Sequence, residues 1–465
     1  MKITQILPLL PLTSAFVITE TDIFQNIEKT GREIVDQTQG VFEKTQHVLD
    51  DAFAKAVESV KEAGDKAYHK VHETGCDVES WLEGSSFEEF MDDSEKPDHP
   101  HHPPHDKPPH HGPPHHGRPH HPPHHEKPNQ TVYELISKSK YTTKLAKLID
   151  EFPDLIDKLN STKSNYTVFA PTDEAFERIP KHGKKPSKEF LEKVLLYHIS
   201  DDFYPAGRVL HSYTIPTLLE PENLGHKQRL TVRVTLKGPT INFYSKLVAV
   251  NIFGTNGVIH GVDHVIVPPP QVATIIDLLP GEFSTLELAL GKTDLFDKIN
   301  STDYPHKGGT FFAPSNFAFK KLGPRANAFL FSQYGLKYLK ALLEYHIVVD
   351  QTLYSDAFFD QSGDDDEKTD DYRHFHVDLP TVLKDKYLSV DSARYGPFVE
   401  IRINAFSRVT IHDGVASDGV IQVVSDVLIP PKTEGAKQMY WTGDELSVED
   451  LKERLAPLVD ESPEL

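Results

Sequence analysis

The sequence predicts an α+β protein in which one module is used twice, behind a long polar approach. Three observations carry that reading. Short strings recur in the same order in two parts of the chain. Within each part, stretches of helical periodicity alternate with short apolar β runs. Composition also changes sharply near residue 128, where a His/Pro tract gives way to globular sequence.

The recurrence spans about 129–269 and 272–431. Leu155-Ile-Asp-Lys-Leu-Asn-Ser-Thr162 matches Leu295-Phe-Asp-Lys-Ile-Asn-Ser-Thr302 at an offset of 140, and Tyr166-Thr-Val-Phe-Ala-Pro-Thr-Asp-Glu-Ala-Phe176 matches Gly309-Thr-Phe-Phe-Ala-Pro-Ser-Asn-Phe-Ala-Phe319 at 143. Leu195-Leu-Tyr-His-Ile199 matches Leu343-Glu-Tyr-His-Ile347 at 148, and Gly257 to Pro269 matches Gly419 to Pro431 at 162. A constant order with growing offsets means duplication followed by insertion. The charged run Gln361–Asp371 supplies most of the last step. It has no apolar periodicity, which predicts an exposed loop, and its aspartates lack the spacing of an EF-hand.

Each copy reads as helices, a strand, helices, then several strands. Thr167-Val-Phe-Ala is an apolar β run closed by Pro171. Thr172 then offers a helix-capping hydroxyl with Asp173 and Glu174 in the first turn, and Ser315 takes that place in copy two. Phe190, Leu191, Val194, Leu195 and Ile199 form a helix stripe carrying Tyr197 and His198. Leu230–Leu236 and Val399–Ile403 alternate as half-buried strands do. A last β segment from Gly257 is expected to run to Pro268-Pro269, where proline ends ladder pairing.

The flanks read differently. Residues 1–15 have one early lysine, a short apolar stretch and small residues near Ala15, the pattern of a signal peptide, and the stretch is too short to span a bilayer. Residues 20–75 space apolar side chains by threes and fours, with Ile27, Thr38, Leu49, Val60 and Val71 eleven apart. That pattern predicts an amphipathic helical region, docked on protein or lying on lipid. Residues 76–128 read as a linker. Its first part carries Trp81, Leu82, Phe87, Phe90 and Met91 among acids, the makings of a short docking motif. Its second part holds 12 of the chain's 26 histidines between His99 and His125. Proline forbids regular structure there, so a disordered, extended spacer is expected. Paired imidazoles at His101, His102, His110, His111, His115, His116, His120, His121, His124 and His125 bind divalent metals, but nothing fixes a four-ligand shell. Their charge responds to pH near 6–6.5. Residues 432–465 form an acidic tail in which Asp444–Leu455 reads as a short capped helix.

Bulk numbers narrow the function. The 465 residues carry a formal charge of −21, which disfavours nucleic acid and anionic lipid as general partners. Membrane contact is expected only through 20–75. Cys76 is the lone cysteine, so no internal disulfide supports the fold. Four sequons, at Asn129, Asn160, Asn165 and Asn300, agree with secretion.

The string at 167–176, the Tyr197-His198 pair and Asn256-Gly-Val-Ile-His-Gly-Val-Asp-His-Val-Ile-Val-Pro-Pro269 together resemble the fasciclin (FAS1) domain: its first block, its central Tyr-His pair and its second block. The resemblance covers about 300 residues and recurs in copy two. It implies a β-sandwich or wedge with packed helices, and extracellular adhesion or matrix and wall association without catalysis or cofactor. The proline-rich layout suits a fungal secreted member. The candidate binding residues are Tyr197, His198, His260, Asp263, Tyr345 and His346. Against surface contact stands a second role for the Tyr-His pair: a buried histidine locking helix to sheet. Copy two departs from the pattern, with Gln422 for His260 and Ser425 for Asp263, the acid moving to Asp426.

The expected function is therefore non-enzymatic adhesion, with cell-surface, wall or matrix partners and self-association. A vacuolar or metal- and pH-responsive protein using the His/Pro tract is the alternative. A hydrolase is disfavoured because no nucleophile elbow, zinc helix or phosphate loop is present.

Overall fold

A side-chain cap sets the start of the first helix of copy one. In the computed structural model, which describes residues 128–179, 186–235, 238–296, 307–356, 372–395, 398–434, 437–441 and 446–459, the first helix is α1 (Val132–Lys138). Thr131 caps it reciprocally: its hydroxyl accepts from the Glu134 N–H, and the Glu134 carboxylate accepts from the Thr131 N–H. Next come α2 (Thr143–Ile149) and α3 (Pro153–Asn160), the latter opened by Pro153, whose missing N–H costs nothing in a first turn. The signal peptide, the 20–75 region, Cys76, the His/Pro tract, Asn300 and the acidic insertion lie outside the described residues.

The apolar run becomes β1 (Tyr166–Pro171), and Thr172 caps α4 (Asp173–Glu177) through its hydroxyl, as the sequence predicts. Then follow α5 (Lys188–Tyr197), β2 (Ile199–Ser200), α6 (Ala206–His211), β3 (Thr214–Pro216), β4 (Arg229–Thr235), β5 (Gly238–Ile241), β6 (Ser245–Gly254) and β7 (Gly257–Val262). The sheet order is β2-β1-β7-β6-β5-β4-β3, with β1 and β7 parallel and the other pairs antiparallel.

Copy two repeats this with α7 (Val272–Leu278), α8 (Pro280–Lys292), β8 (Gly309–Pro314), α9 (Asn316–Lys321), α10 (Pro324–Leu330), α11 (Leu336–Glu344) and β9 (Ile347–Val349). Its remaining strands are β10 (Tyr372–Pro380), β11 (Tyr387–Tyr395), β12 (Phe398–Ile403), β13 (Ser407–Ala416) and β14 (Gly419–Val424). Their order, β9-β8-β14-β13-β12-β11-β10, is that of copy one strand for strand. Even the irregularities recur: β6 and β13 each slip register twice, after Leu247 and Ala249 and after Val409 and Ile411. A hairpin, β15 (Lys432–Glu434) and β16 (Lys437–Met439), and α12 (Val448–Val459) follow among the described residues, with the Ser447 hydroxyl capping α12 at the Asp450 N–H.

The mixed α+β class and the two tandem domains of one topology are as predicted. Each copy buries two main apolar clusters, and residues of both helices and strands enter each. Three local expectations change. The last strand stops at Val262, not at Pro268, because the Asp263 carboxylate accepts the Lys246 N–H and His198 accepts the Ile266 N–H, so side chains replace the ladder. The outward face of β4 is not open at Thr231, which is buried against the second copy. Phe190, placed in the helix stripe, stands exposed on α5.

Candidate functional site

Tyr197 and His198 close α5 and fasten it to two parts of the sheet. The Tyr197 hydroxyl donates to the Arg229 carbonyl at 3.0 Å and accepts from Asn242 Nδ2 at 2.8 Å. His198 Nδ1 donates to the Val194 carbonyl at 2.7 Å, and its Nε2 accepts the Ile266 N–H at 2.9 Å, so the network selects the Nδ1–H tautomer. Burial pushes this imidazole down to about 4, so it is neutral at pH 7. Copy two is built identically. Tyr345 donates to the Tyr387 carbonyl and accepts from Asn404, each at 3.0 Å. His346 bonds the Leu342 carbonyl at 2.8 Å and the Leu428 N–H at 2.9 Å.

The partner asparagines were not singled out in the sequence. Asn242-Phe243 and Asn404-Ala405 both have positive φ, as tight β-hairpin turns require, and each asparagine also accepts from a neighbouring strand, at Thr231 or Ser389. The signal that could have found them is the match of Ile241-Asn-Phe-Tyr-Ser245 to Ile403-Asn-Ala-Phe-Ser407.

In the second block, His260 is fully buried on β7, stacked on Phe169 at 5.7 Å, and donates from Nε2 to the Tyr204 carbonyl at 2.8 Å. Burial holds it near 4 as well. Gln422 does the same work in copy two, donating from Nε2 to the Leu353 carbonyl at 2.8 Å. The two carbonyls are equivalent, since the Tyr204 and Leu353 N–H groups both bond the β-strand threonine of their copy, Thr167 or Thr310. Asp263 has two tasks: one oxygen accepts the Lys246 N–H at 2.7 Å and the other pairs with Arg178 at 3.0 Å. Copy two divides them. The Ser425 hydroxyl accepts the Arg408 N–H at 3.1 Å, and Asp426 pairs with Lys321 at 3.0 Å. The substituted positions therefore preserve the bonds. All six candidate residues are buried and engaged internally, so a partner would meet the surface around them, not their rings.

A second constellation, missed in the sequence, joins the copies. Asp356 accepts from the Thr214 N–H at 2.9 Å and the Thr214 hydroxyl at 2.8 Å, with Arg229 at 3.5 Å. Thr231 donates to the Asp413 carbonyl at 2.6 Å, Arg233 to the His412 carbonyl, and Gln228 to the Ala416 carbonyl at 3.0 Å. Tyr354 stacks edge-on to His226 and lies under Arg229. Burial, with Asp413 adding to it, pushes Asp356 up to about 6 despite Arg229 and Thr214. These contacts fix β4 of copy one against the bulge of β13, and β3 against Asp356 in the segment that follows β9.

Asn129, Asn160 and Asn165 are exposed at one end of copy one, where Thr131 donates to Asn160 at 2.8 Å. Among the described residues, no cluster of three or more His, Cys, Asp or Glu is arranged to hold a metal, and no helix is long and apolar enough to cross a membrane.

Comparison with known proteins finds relatives in sequence. The chain is 30% identical over 358 residues to aurofusarin biosynthesis cluster protein S of Gibberella zeae, covering 72% of this chain and 87% of that protein. It is 28% identical to stabilin-2 of Rattus norvegicus over 40% of this chain but only 13% of that protein. The rabbit (Oryctolagus cuniculus) transforming growth factor-beta-induced protein ig-h3 is 25% identical, with 26% of its length covered. Among solved structures, the domain pair of the insect cell adhesion molecule fasciclin I is similar at 21% identity and a TM-score of 0.32, covering 62% of this chain and 96% of that one. The fasciclin domain model matches residues 140–268 and 281–430, and the chain belongs to the fasciclin domain family.

Proposed function

We propose that this chain is a non-enzymatic, secreted or surface-associated adhesion protein that presents two fasciclin domains as one rigid body to wall, matrix or cell-surface components. The observation that carries the reading is the interdomain seam. Its buried hydrogen bonds hold Asp356 and Asp413 of one copy on Thr214 and Thr231 of the other. Two modules locked in one orientation suit recognition of an extended partner better than turnover, which needs activated side chains free to react. The Tyr-His pairs, His260 and Asp263 are reserved for internal bonds. The signal-like start and the exposed sequons at Asn129, Asn160 and Asn165 support entry into the secretory route. That route ends at the wall, outside the cell or in a vacuole.

The test uses the full chain. Purified protein is offered to wall polysaccharide, to intact cells and to itself, while a tagged copy is located in its host. Binding to any of the three, with surface or extracellular residence, supports the reading. Binding to none of them overturns it.

The Gibberella relative favours a second reading, since its name places it in a biosynthesis cluster. An accessory role beside a biosynthetic pathway would show as loss of a metabolite on deletion, with adhesion unchanged.

A further inference from the structure

Among the described residues, copy two wears a cover that copy one lacks. Beyond β16 the Trp441 indole meets the Phe406 ring edge-on at 5.2 Å. Trp441, Leu446, Leu451 and Leu455 then join the buried cluster that holds Leu322 and Ile429, against which Tyr338 and Phe406 also pack. The duplication identifies the matching positions in copy one as Ile179, Phe190, Tyr244 and Val267. Leu322 and Ile429 are 3% and 0% exposed, whereas Ile179, Phe190, Tyr244 and Val267 are 46%, 41%, 43% and 45% exposed. Ile179, Tyr244 and Val267 neighbour one another. The Tyr244 hydroxyl accepts the Val267 N–H at 3.0 Å, its ring meets His264, and His264 lies 3.4 Å from the Arg178 guanidinium, next to Ile179. The chain that leaves copy one cannot serve as its cover, because Val272 and Ile276 of α7 are buried in copy two.

The sequence holds an occupant of the right chemistry. The chain has two tryptophans. Trp441 precedes Ser447-Val-Glu-Asp-Leu451, where the serine caps α12 and Leu451 enters the core. Trp81 precedes Ser86-Phe-Glu-Glu-Phe90, the same order of tryptophan, serine, apolar residue, two acids and apolar residue, with four intervening residues where the tail has five. From Asp77 to Glu95 there are eight acids and no lysine or arginine. Arg178, half exposed although it also pairs with Asp263, and Lys188 flank Ile179 and Phe190 in the sequence and offer positive charge to these acids. Reach is ample, since the 40 residues between Met91 and Val132 span roughly 120 Å at the ~3.1 Å per residue of an extended proline-rich chain.

We propose that this exposed apolar surface of copy one is a docking site for the acidic segment Trp81–Met91 of the same chain, with Trp81 against Tyr244 as Trp441 lies against Phe406. Helix-in-groove docking of this kind needs an aromatic anchor, spaced apolar residues and a complementary rim.

Because only two tryptophans are present, fluorescence of the full chain reads the contact directly. The Trp81 signal is the difference between wild type and Trp81→Phe. It should be blue-shifted and resistant to acrylamide. Val267→Lys and Ile179→Glu alter exposed side chains, so the fold should persist, as far-UV circular dichroism would verify. Each should red-shift the Trp81 signal and raise its quenching several-fold, leaving that of Trp441 unchanged. A Trp81 that is already solvent-exposed in wild type overturns the proposal, as does shielding that survives both substitutions. Light scattering settles the source of the segment: a monomer supports docking within the chain, and a dimer that dissociates in Trp81→Phe overturns it in favour of a second copy.

Discussion

His260 and Gln422 occupy one position in two copies and donate to equivalent carbonyls, but only the imidazole can take a proton. Burial holds His260 near 4, against about 6.5 for an unfolded histidine. Between those values the unfolded chain binds a proton that the folded chain refuses. Stability therefore falls as pH drops from about 6.5 toward 4. At pH 5 the loss is about 2 kcal/mol for one such group, taking about 1.4 kcal/mol per unit over roughly 1.5 units. His260→Gln should remove this loss and keep the bond to Tyr204. It also brings an acceptor, as Gln422 Oε1 does for the Asp413 N–H at 3.1 Å, where His260 Nδ1 has no hydrogen-bond partner. Urea unfolding at pH 7 and pH 5 measures the effect. The variant should match wild type at pH 7 and exceed it by about 2 kcal/mol at pH 5. His260→Ala should instead lose about 2–4 kcal/mol at pH 7, through a cavity and an orphaned carbonyl, and its deficit against wild type should shrink by about 2 kcal/mol at pH 5, where only the wild type carries the histidine penalty. His198, His346 and His412 are present in every variant, so their acid sensitivity cancels. An equal loss between pH 7 and pH 5 in wild type and His260→Gln would refute the reasoning.

Other expectations follow from the same geometry. Tyr197→Phe and Tyr345→Phe each strand a carbonyl and an amide, and should cost about 1–3 kcal/mol apiece, additively because the sites lie in different domains; denaturation of the double variant checks this. A Cβ on Gly257 would fall 2.1 Å from the Tyr166 carbonyl oxygen, so Gly257→Ala should part β1 from β7 and cost about 4–5 kcal/mol, read as a lowered thermal midpoint. Asp356→Ala frees the Thr214 N–H, whose hydrogen exchange should quicken about tenfold or more, the equivalent of about 1.4 kcal/mol. The carboxyl of Asp356, raised to about 6, works against the histidines: its protonated form favours the fold as pH falls toward the ordinary carboxyl range, so Asp356→Asn should steepen the net acid lability. Expression in a secretory host should place glycans on Asn129, Asn160 and Asn165, detectable as a mass loss on enzymatic deglycosylation.

Much of this architecture was legible because local rules and duplication agree. Thr172 and Ser315 cap helices as their sequence positions predict, and Val399–Ile403 alternates buried and open side chains. Leu230–Leu236 misled at Thr231, since alternation reports one face of a sheet and cannot report that another domain covers the opposite one. The substitutions in the second block were visible, but their meaning was not. Ser425 and Asp426 share what Asp263 does alone, and that division exists only in three dimensions. The seam was invisible for the same reason, because Asp356 and Thr214 are 142 residues apart with no motif to link them.

The seam also decides what such a module can build. It sets β4 of one copy on the bulge of the other, two different surfaces of the same fold. Pairing like with like would consume one patch on both members and stop at two. Head-to-tail pairing leaves each patch type unspent at opposite ends. Tyr387 stands in copy two where Arg229 stands in copy one, yet it is 53% exposed, and Asn251 keeps the bulge position that Asp413 uses. An interface that does not close on itself has the geometry of a polymer joint, from which longer rows of the same domain follow by repetition.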